Sequence, residues 1–193
     1  TWTVDPNDRT TFYGATDLAT ILGLSRFGRP IDVYAEKHDK RTRAAGSRAL
    51  WGLRLEQAIC DGYTATTRTE GRPEGYRLRR IREVRHPEVP YLVFHPDRVV
   101  VGEPGIFDAK ATEFPLDYGE AGSDEVPDSV RVQMVCYLGA TRRSWADVGV
   151  MTGSTRGLDL YRVPARPQLY EAAGEAAVDF HERHVLRHDP PPE

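Results

Sequence analysis

Three charged residues in the middle of the chain have the types and the spacing of a hydrolytic site. Asp97 follows Pro96, and Asp108-Ala109-Lys110 comes after a gap of ten residues. Side chains alternate along a β-strand, so Asp108 and Lys110 project to one face, and a hairpin would bring Asp97 beside Asp108. Two carboxylates and one ammonium in a small volume suit metal-dependent phosphodiester hydrolysis. A plain salt bridge between Asp108 and Lys110 on a solvated strand is the alternative.

The chemistry assigns each group a task. Carboxylate oxygens are hard ligands suited to Mg²⁺ or Mn²⁺, and such an ion lowers the pKa of a bound water. A nearby lysine positions that water and offsets charge on the phosphate. Lys110 stands out because only two other lysines, Lys37 and Lys40, occur among 26 basic residues. Glu56 lies within a largely apolar helical pattern and needs a partner there, either a metal ion or an arginine.

Composition and charge bound the class of protein. With 193 residues, 39% of them hydrophobic, the chain suits one domain with a sizeable core. The net charge of −3 hides two basic segments, 37–48 and 72–85, and one acidic segment, 113–128. The basic segments either contact phosphate or simply solvate the surface.

Other features exclude several alternatives. No apolar run reaches the roughly 18 residues of a membrane span, and no signal peptide is visible, so we expect a cytoplasmic protein without membrane contact. Cys60 and Cys136 cannot complete a four-cysteine metal site and are expected as reduced, buried thiols. His181, His184 and His188 share a helical stripe, but no cysteine or matching acid cluster accompanies them to favour zinc.

The hydrophobic pattern gives helices, then a cluster of strands, then a helix, two more strands and a last helix, which indicates an α/β or α+β domain around a mixed sheet. Helices are expected at 16–23, 30–37, 45–60, 128–140 and 166–187. Strands are expected at 63–69, 76–84, 91–101, 106–112, 145–152 and 158–163. Apolar residues cover much of the third helix, so we expect it to be well buried.

Five segments, in this order, resemble the YqaJ-like, lambda-type recombination exonucleases of the PD-(D/E)XK nuclease superfamily. They are the helix opening Gly14-Ala15-Thr16-Asp17, the stretch 30–37, the helix 51–56 with Glu56, the signature Pro96-Asp97 with Asp108-Ala109-Lys110, and the helix 132–138. The resemblance implies a restriction-endonuclease-like core with a central mixed β-sheet flanked by helices. It implies one nuclease domain over 1–193: N-terminal helices 14–60, catalytic sheet 63–112, acidic loop 113–128, and C-terminal helices and strands 128–188.

The resemblance also implies roles for the central residues. Glu56, Asp97 and Asp108 would be metal ligands together with the carbonyl oxygen of Ala109, and Lys110 would be the catalytic lysine. The implied cofactor is Mg²⁺ or Mn²⁺, with two ions.

Further roles follow from the same resemblance. Gln133 would orient the water or the substrate phosphate, with Tyr137 supporting it one turn later. Arg9 and Thr16 would hold a 5′-phosphate, and Ser25 would also contact the substrate. The glycine that usually follows the arginine is replaced after Arg9 in this chain.

The implied activity is a 5′→3′ exonuclease on double-stranded DNA, working with a single-strand annealing protein and assembling as a trimeric ring. An endonuclease of a defence or restriction system on the same fold is the first alternative, and a non-catalytic DNA-binding scaffold is the second. This sequence departs from the family pattern at two positions: Asp108 replaces the commoner glutamate, and Arg98 stands where a glycine often follows the aspartate.

Overall fold

Three helices come first along the chain, a group of five strands follows, and a helix, two strands and a last helix come after them, in the order that the hydrophobic pattern predicts. The structure is a computed structural model that describes residues 2–5, 7–41, 46–113, 115–153 and 157–192. The helices are α1 (Ala15–Ile21), α2 (Pro30–Lys37), α3 (Ser47–Thr66), α4 (Asp128–Thr141) and α5 (Pro167–Phe180). The strands are β1 (Leu78–Arg80), β2 (Val84–Arg85), β3 (Val93–Phe94), β4 (Arg98–Val100), β5 (Gly105–Thr112), β6 (Trp145–Thr152) and β7 (Leu158–Pro164). A 3₁₀ turn covers Arg9–Thr11, and a π-helical segment, His181–Leu186, continues α5.

A mixed five-stranded sheet has the order β1-β4-β5-β6-β7, while β2 and β3 pair separately with each other. Within this sheet, as far as the structure describes the chain, β5 and β6 form the parallel pair, and α4 makes the crossover between them. The other neighbours in the large sheet are antiparallel. The expected central mixed sheet flanked by helices is confirmed.

Side-chain alternation gives the sheet two apolar faces. Val99 and Ile106 join the larger core with α1, α4 and α5, whereas Val100 and Phe107 pack against α3. Residues of β4 and β5 that alternate in sequence therefore meet different helices, which decides the surroundings of each charged side chain.

Three expected strands are wrong in part or in full. The segment 63–69 is largely helical, since α3 continues to Thr66 and buries Tyr63 completely. The segment 91–101 is divided at Pro96 into β3 and β4, which belong to different sheets, because proline cannot donate a ladder hydrogen bond. The segment 76–84 is likewise divided into β1 and the start of β2.

The expected burial of the third helix is also wrong at its N-terminal half. Leu50, Trp51 and Leu53 are 49%, 58% and 69% exposed, whereas Ile59 and Tyr63 further along are buried. Ala45, the expected first residue of this helix, lies outside the described residues. Cys60 and Cys136 are free and buried, as expected. Within the described part of the chain, no helix is both long and apolar enough to cross a bilayer.

Candidate active site

Asp97 and Asp108 lie side by side because β4 and β5 pair in antiparallel fashion. The register sets Arg98 opposite Phe107, so Asp97, immediately before β4, faces Asp108. One oxygen of Asp97, Oδ2, accepts a hydrogen bond from the backbone N–H of Ala109 at 2.9 Å. The hairpin predicted from the sequence does bring these two carboxylates together.

Lys110 connects the two carboxylates to α4. Its Nζ lies 2.5 Å from Oδ2 of Asp108 and donates a hydrogen bond to Oε1 of Gln133 at 2.8 Å. The amide nitrogen of Gln133 in turn donates to the hydroxyl of Tyr137 at 2.8 Å, one helical turn further on. The salt bridge that served as the alternative interpretation is present, but it is one contact of a longer polar chain.

Burial and the repulsion between Asp97 and Asp108 determine how readily Asp97 ionises. Burial, and after it the neighbouring Asp108 carboxylate, raises the pKa of Asp97 to about 7, although the Ala109 N–H and Lys110 act in the opposite direction. The Tyr137 hydroxyl stays protonated, because burial raises its pKa well above the usual range. Two carboxylates that repel each other in a largely buried place favour a cation between them.

The donor set fits a divalent cation. Oδ2 of Asp108 is buried and accepts no hydrogen bond, and its contact with Lys110 is an ion pair without hydrogen-bond geometry. In the described ranges no three His, Cys, Asp or Glu side chains cluster as a complete metal site. An ion at Asp97 and Asp108 therefore needs further oxygens, such as the Ala109 carbonyl, water or a phosphate, as Mg²⁺ sites usually do.

Glu56 lies on α3, where its carboxylate pairs with two arginine side chains. Its Oε1 pairs with Nη1 of Arg98 at 2.5 Å and with the more exposed Arg80 at 3.6 Å. It is close enough to contribute to the raised pKa of Asp97. The arginine partner left open by the sequence is thus the one found, and the ligand role of Glu56 stays a prediction.

The three residues predicted to contact substrate lie around α1. The guanidinium of Arg9 pairs with Asp17 at 2.7 Å, and its side chain is 41% exposed. Thr16 is exposed on the first turn of α1, and the hydroxyl of Ser25 accepts a hydrogen bond from the backbone N–H of Phe27 at 3.2 Å. Their roles toward a substrate stay predictions.

Two structurally prominent residues were not predicted from the sequence. Lys37 is completely buried and contacts Glu36 at 2.6 Å, the carbonyl of Arg9 at 2.9 Å and Asp17 at 3.3 Å. Its position three residues after Tyr34, on the buried face of α2, is the signal that could have revealed it. Tyr118, in the acidic loop, lies near enough to Asp108 for that carboxylate, after burial, to raise its pKa.

The three histidines on the last helical segment have separate partners. The ring of His181 meets the hydroxyl of Tyr13 at 2.9 Å, His184 contacts the carbonyl of Asp189, and His188 contacts His38. Each ring is thus engaged with a different neighbour.

Two solved structures with the same fold are exonucleases. The alkaline exonuclease LHK-Exo of Laribacter hongkongensis aligns with a TM-score of 0.68 at 14% identity, over 92% of this chain and 89% of that one. A phage-related exonuclease of Haemophilus somnus 129PT aligns with a TM-score of 0.63 at 11% identity, over 92% and 96%. The chain therefore has the mixed α/β nuclease fold of the phage-type exonucleases.

A sequence comparison narrows this class to a family. The model of the YqaJ-like viral recombinase domain matches residues 6–144, and the chain belongs to this family. The uncharacterized protein YqaJ of Bacillus subtilis (strain 168) is 28% identical over 129 residues, which make up 65% of this chain. The chain matches only 38% of that relative's length. The resemblance seen in the sequence is confirmed.

Proposed function

We propose that this chain hydrolyses DNA phosphodiester bonds with Mg²⁺ or Mn²⁺, as a 5′→3′ exonuclease on duplex ends. The observation that carries the proposal is Lys110, whose ammonium bridges Asp108 and Gln133 beside the buried carboxyl of Asp97. An ammonium, two acids and an amide at this spacing provide the groups that metal-assisted phosphodiester hydrolysis needs. Family membership supports the same conclusion.

The proposed division of labour follows from the contacts. Asp97, Asp108 and the Ala109 carbonyl would hold the ion, which when bound supplies positive charge at the phosphate and a more acidic water. An ammonium has three N–H donors, and Lys110 uses one on Gln133 while its charge pairs with Asp108. A further donor would orient the attacking water or a phosphate oxygen, since Lys110 is 25% exposed.

Gln133 and Tyr137 act as supports of the lysine in this proposal. Because the Gln133 amide nitrogen donates to Tyr137, its oxygen faces Lys110. Tyr137 is buried and stays protonated, so it fixes the orientation of the amide at any pH at which the protein works. The lysine is therefore held in one place before substrate arrives.

The exonuclease activity is the finer part of the proposal. LHK-Exo, which shares the fold, is an alkaline exonuclease and was also solved in complex with dAMP. In this chain the exposed Arg9 guanidinium and the Thr16 hydroxyl at the first turn of α1 offer donors to a 5′-phosphate. Ser25 would contact the same strand. A single-strand annealing protein as partner, a ring of three copies, and a place of action in the cytoplasm belong to the proposal as well.

A polarity assay tests this finer part. Linear duplexes labelled at either end, with a 5′-phosphate or a 5′-hydroxyl, are digested by the wild type, by Arg9→Ala and by the control Arg183→Ala. Arg183 pairs with Asp179 on the surface of the last helical segment. We expect faster loss of the 5′-phosphorylated strand, and a roughly 10- to 100-fold smaller preference in Arg9→Ala only, the worth of one charge-assisted hydrogen bond. Digestion from the 3′ end, or a preference that Arg9→Ala leaves intact, would contradict it.

A further inference from the structure

Arg98 is a buried cation held beside the two aspartates of the candidate site. Strand alternation directs its side chain to the α3 face of the sheet, with Val100 and the facing Phe107. Only 5% of the side chain is exposed. Its guanidinium donates to the carbonyl of Asp97 at 2.8 Å and to Oε1 of Gln57 at 3.4 Å, in addition to its ion pair with Glu56. These contacts fix the position of one positive charge.

Glu56 is the third carboxylate near Asp97 and Asp108, and it already forms an ion pair with Arg98. The Glu56 side chain is 16% exposed, and its Oε1 lies 2.5 Å from Arg98. Arg98 holds Oε1 of Glu56, so a metal ion at this carboxylate either lies beside a buried guanidinium of like charge or separates the buried ion pair. Both arrangements are unfavourable. Arg80 also approaches Glu56, but it is 75% exposed and free to move.

The charges of the site point the same way. Asp97, Asp108 and Glu56 carry three negative charges when ionised, and Lys110 and Arg98 carry two positive ones. One negative charge is therefore left over, and one divalent ion more than balances it. Two divalent ions would leave a large positive excess in a partly buried place before DNA binds.

We propose that Arg98 takes the place of a second divalent ion, so that this chain binds one ion, at Asp97 and Asp108, and Glu56 is not a metal ligand. The inference rests on the proposed metal site and goes beyond it by fixing the number of ions. The side chain of Arg98 then supplies the positive charge that a second ion would bring. It also holds Glu56 and the Asp97 backbone in position.

The number of bound Mn²⁺ ions tests the proposal without any measurement of activity. Free Mn²⁺ is measured by electron paramagnetic resonance during titration of the folded protein, alone and with a phosphorothioate duplex that resists cleavage. The proteins are the wild type, Glu56→Gln, Arg98→Met, the double variant, and Arg80→Met as control. Methionine keeps the apolar stem of the arginine and removes its charge.

We expect one ion in the wild type, in Glu56→Gln and in Arg80→Met. Arg98→Met frees the Glu56 carboxylate and is expected to bind two ions, and the double variant returns to one. Two ions in the wild type, or a lower number in Glu56→Gln than in the wild type, would overturn the inference and leave the proposed metal site intact. Arg98→Met that folds but still binds one ion would also contradict it.

The same titration separates this failure from failure of the proposed function. If no variant binds Mn²⁺, the metal site itself is refuted, and the inference with it. If Arg98→Met does not fold, the comparison of the wild type with Glu56→Gln still decides, because glutamine keeps the size of Glu56 and a hydrogen-bond acceptor for Arg98.

Discussion

Replacing Lys37 by methionine probes the charge cluster that joins α2 to the start of the chain. The Lys37 ammonium is completely buried and meets the acids of Glu36 and Asp17 and the carbonyl of Arg9. Methionine keeps an unbranched apolar stem of similar length and removes only the charge and its donors. The substitution therefore measures the electrostatic part of the contact.

The magnitude follows from what is left behind. Removing one partner of a buried ion pair costs about 3–5 kcal/mol, because the other charge stays buried. Arg9 still pairs with Asp17 at 2.7 Å and lies 3.8 Å from Glu36, so part of the compensation survives. We expect a loss near the lower limit, about 3 kcal/mol of unfolding free energy, or roughly 6–12 °C in Tm for a chain of this size.

Urea unfolding at neutral pH, followed by far-ultraviolet circular dichroism, measures the loss. Lys40→Met is the matched control, because Lys40 is exposed, donates to the Thr10 carbonyl at 3.3 Å and lies over the Trp2 ring. Lys40→Met is expected to lower the free energy of unfolding by less than about 1 kcal/mol. A loss below about 1 kcal/mol in Lys37→Met as well would refute the burial and pairing of Lys37.

Two further predictions concern stability. Burial, and then the nearby Lys40 charge, lowers the pKa of His181 to about 4 from 6.5. Between these values only the unfolded chain binds the proton, so stability falls as pH falls from 6.5 toward 4, by about 3 kcal/mol in all. Urea unfolding at pH 7 and 4.5 should show His181→Gln to be about 2–3 kcal/mol less acid-sensitive than the wild type; equal losses would contradict a neutral, buried His181. Gly139→Ala should cost about 1–3 kcal/mol, because the added methyl group meets the Tyr170 ring, whereas Gly52→Ala meets nothing and should be neutral or stabilising. Equal effects in the two alanine variants, measured by thermal unfolding, would show that Tyr170 yields to the methyl group.

The part of the site that depends on local geometry could be predicted from the sequence. Alternation along β5 places Asp108 and Lys110 on one face, and the antiparallel hairpin brings Asp97 to them. The spacing of Gln133 and Tyr137 on α4 gives their contact in the same way. In these cases neighbours in sequence, or one tight turn, determine the neighbours in space.

The remainder depended on tertiary contacts. The threonine-rich segment after Cys60 has β propensity. In the structure its Tyr63 ring contacts Phe107, and its hydroxyl donates a hydrogen bond to Asp147 at 2.7 Å. These buried contacts favour the helical conformation of the segment. The apolar pattern of α3 did not show which half would meet the sheet, so the exposure of Trp51 was not predicted. The partner of Glu56 came from β4, 42 positions further along the chain, which no local pattern specifies.

The most direct test of the central claim compares linear with covalently closed circular duplex DNA. Wild type and Lys110→Met are incubated with each substrate in Mg²⁺, in Mn²⁺ or in EDTA. We predict that linear DNA alone is degraded, that EDTA stops the reaction, and that Lys110→Met, which still binds DNA, is slower by about 100- to 1,000-fold, the worth of one well-placed donor. Cutting of the circle would establish an endonuclease instead. DNA binding without cleavage by the folded wild type, or full activity in Lys110→Met, would contradict the account of this site.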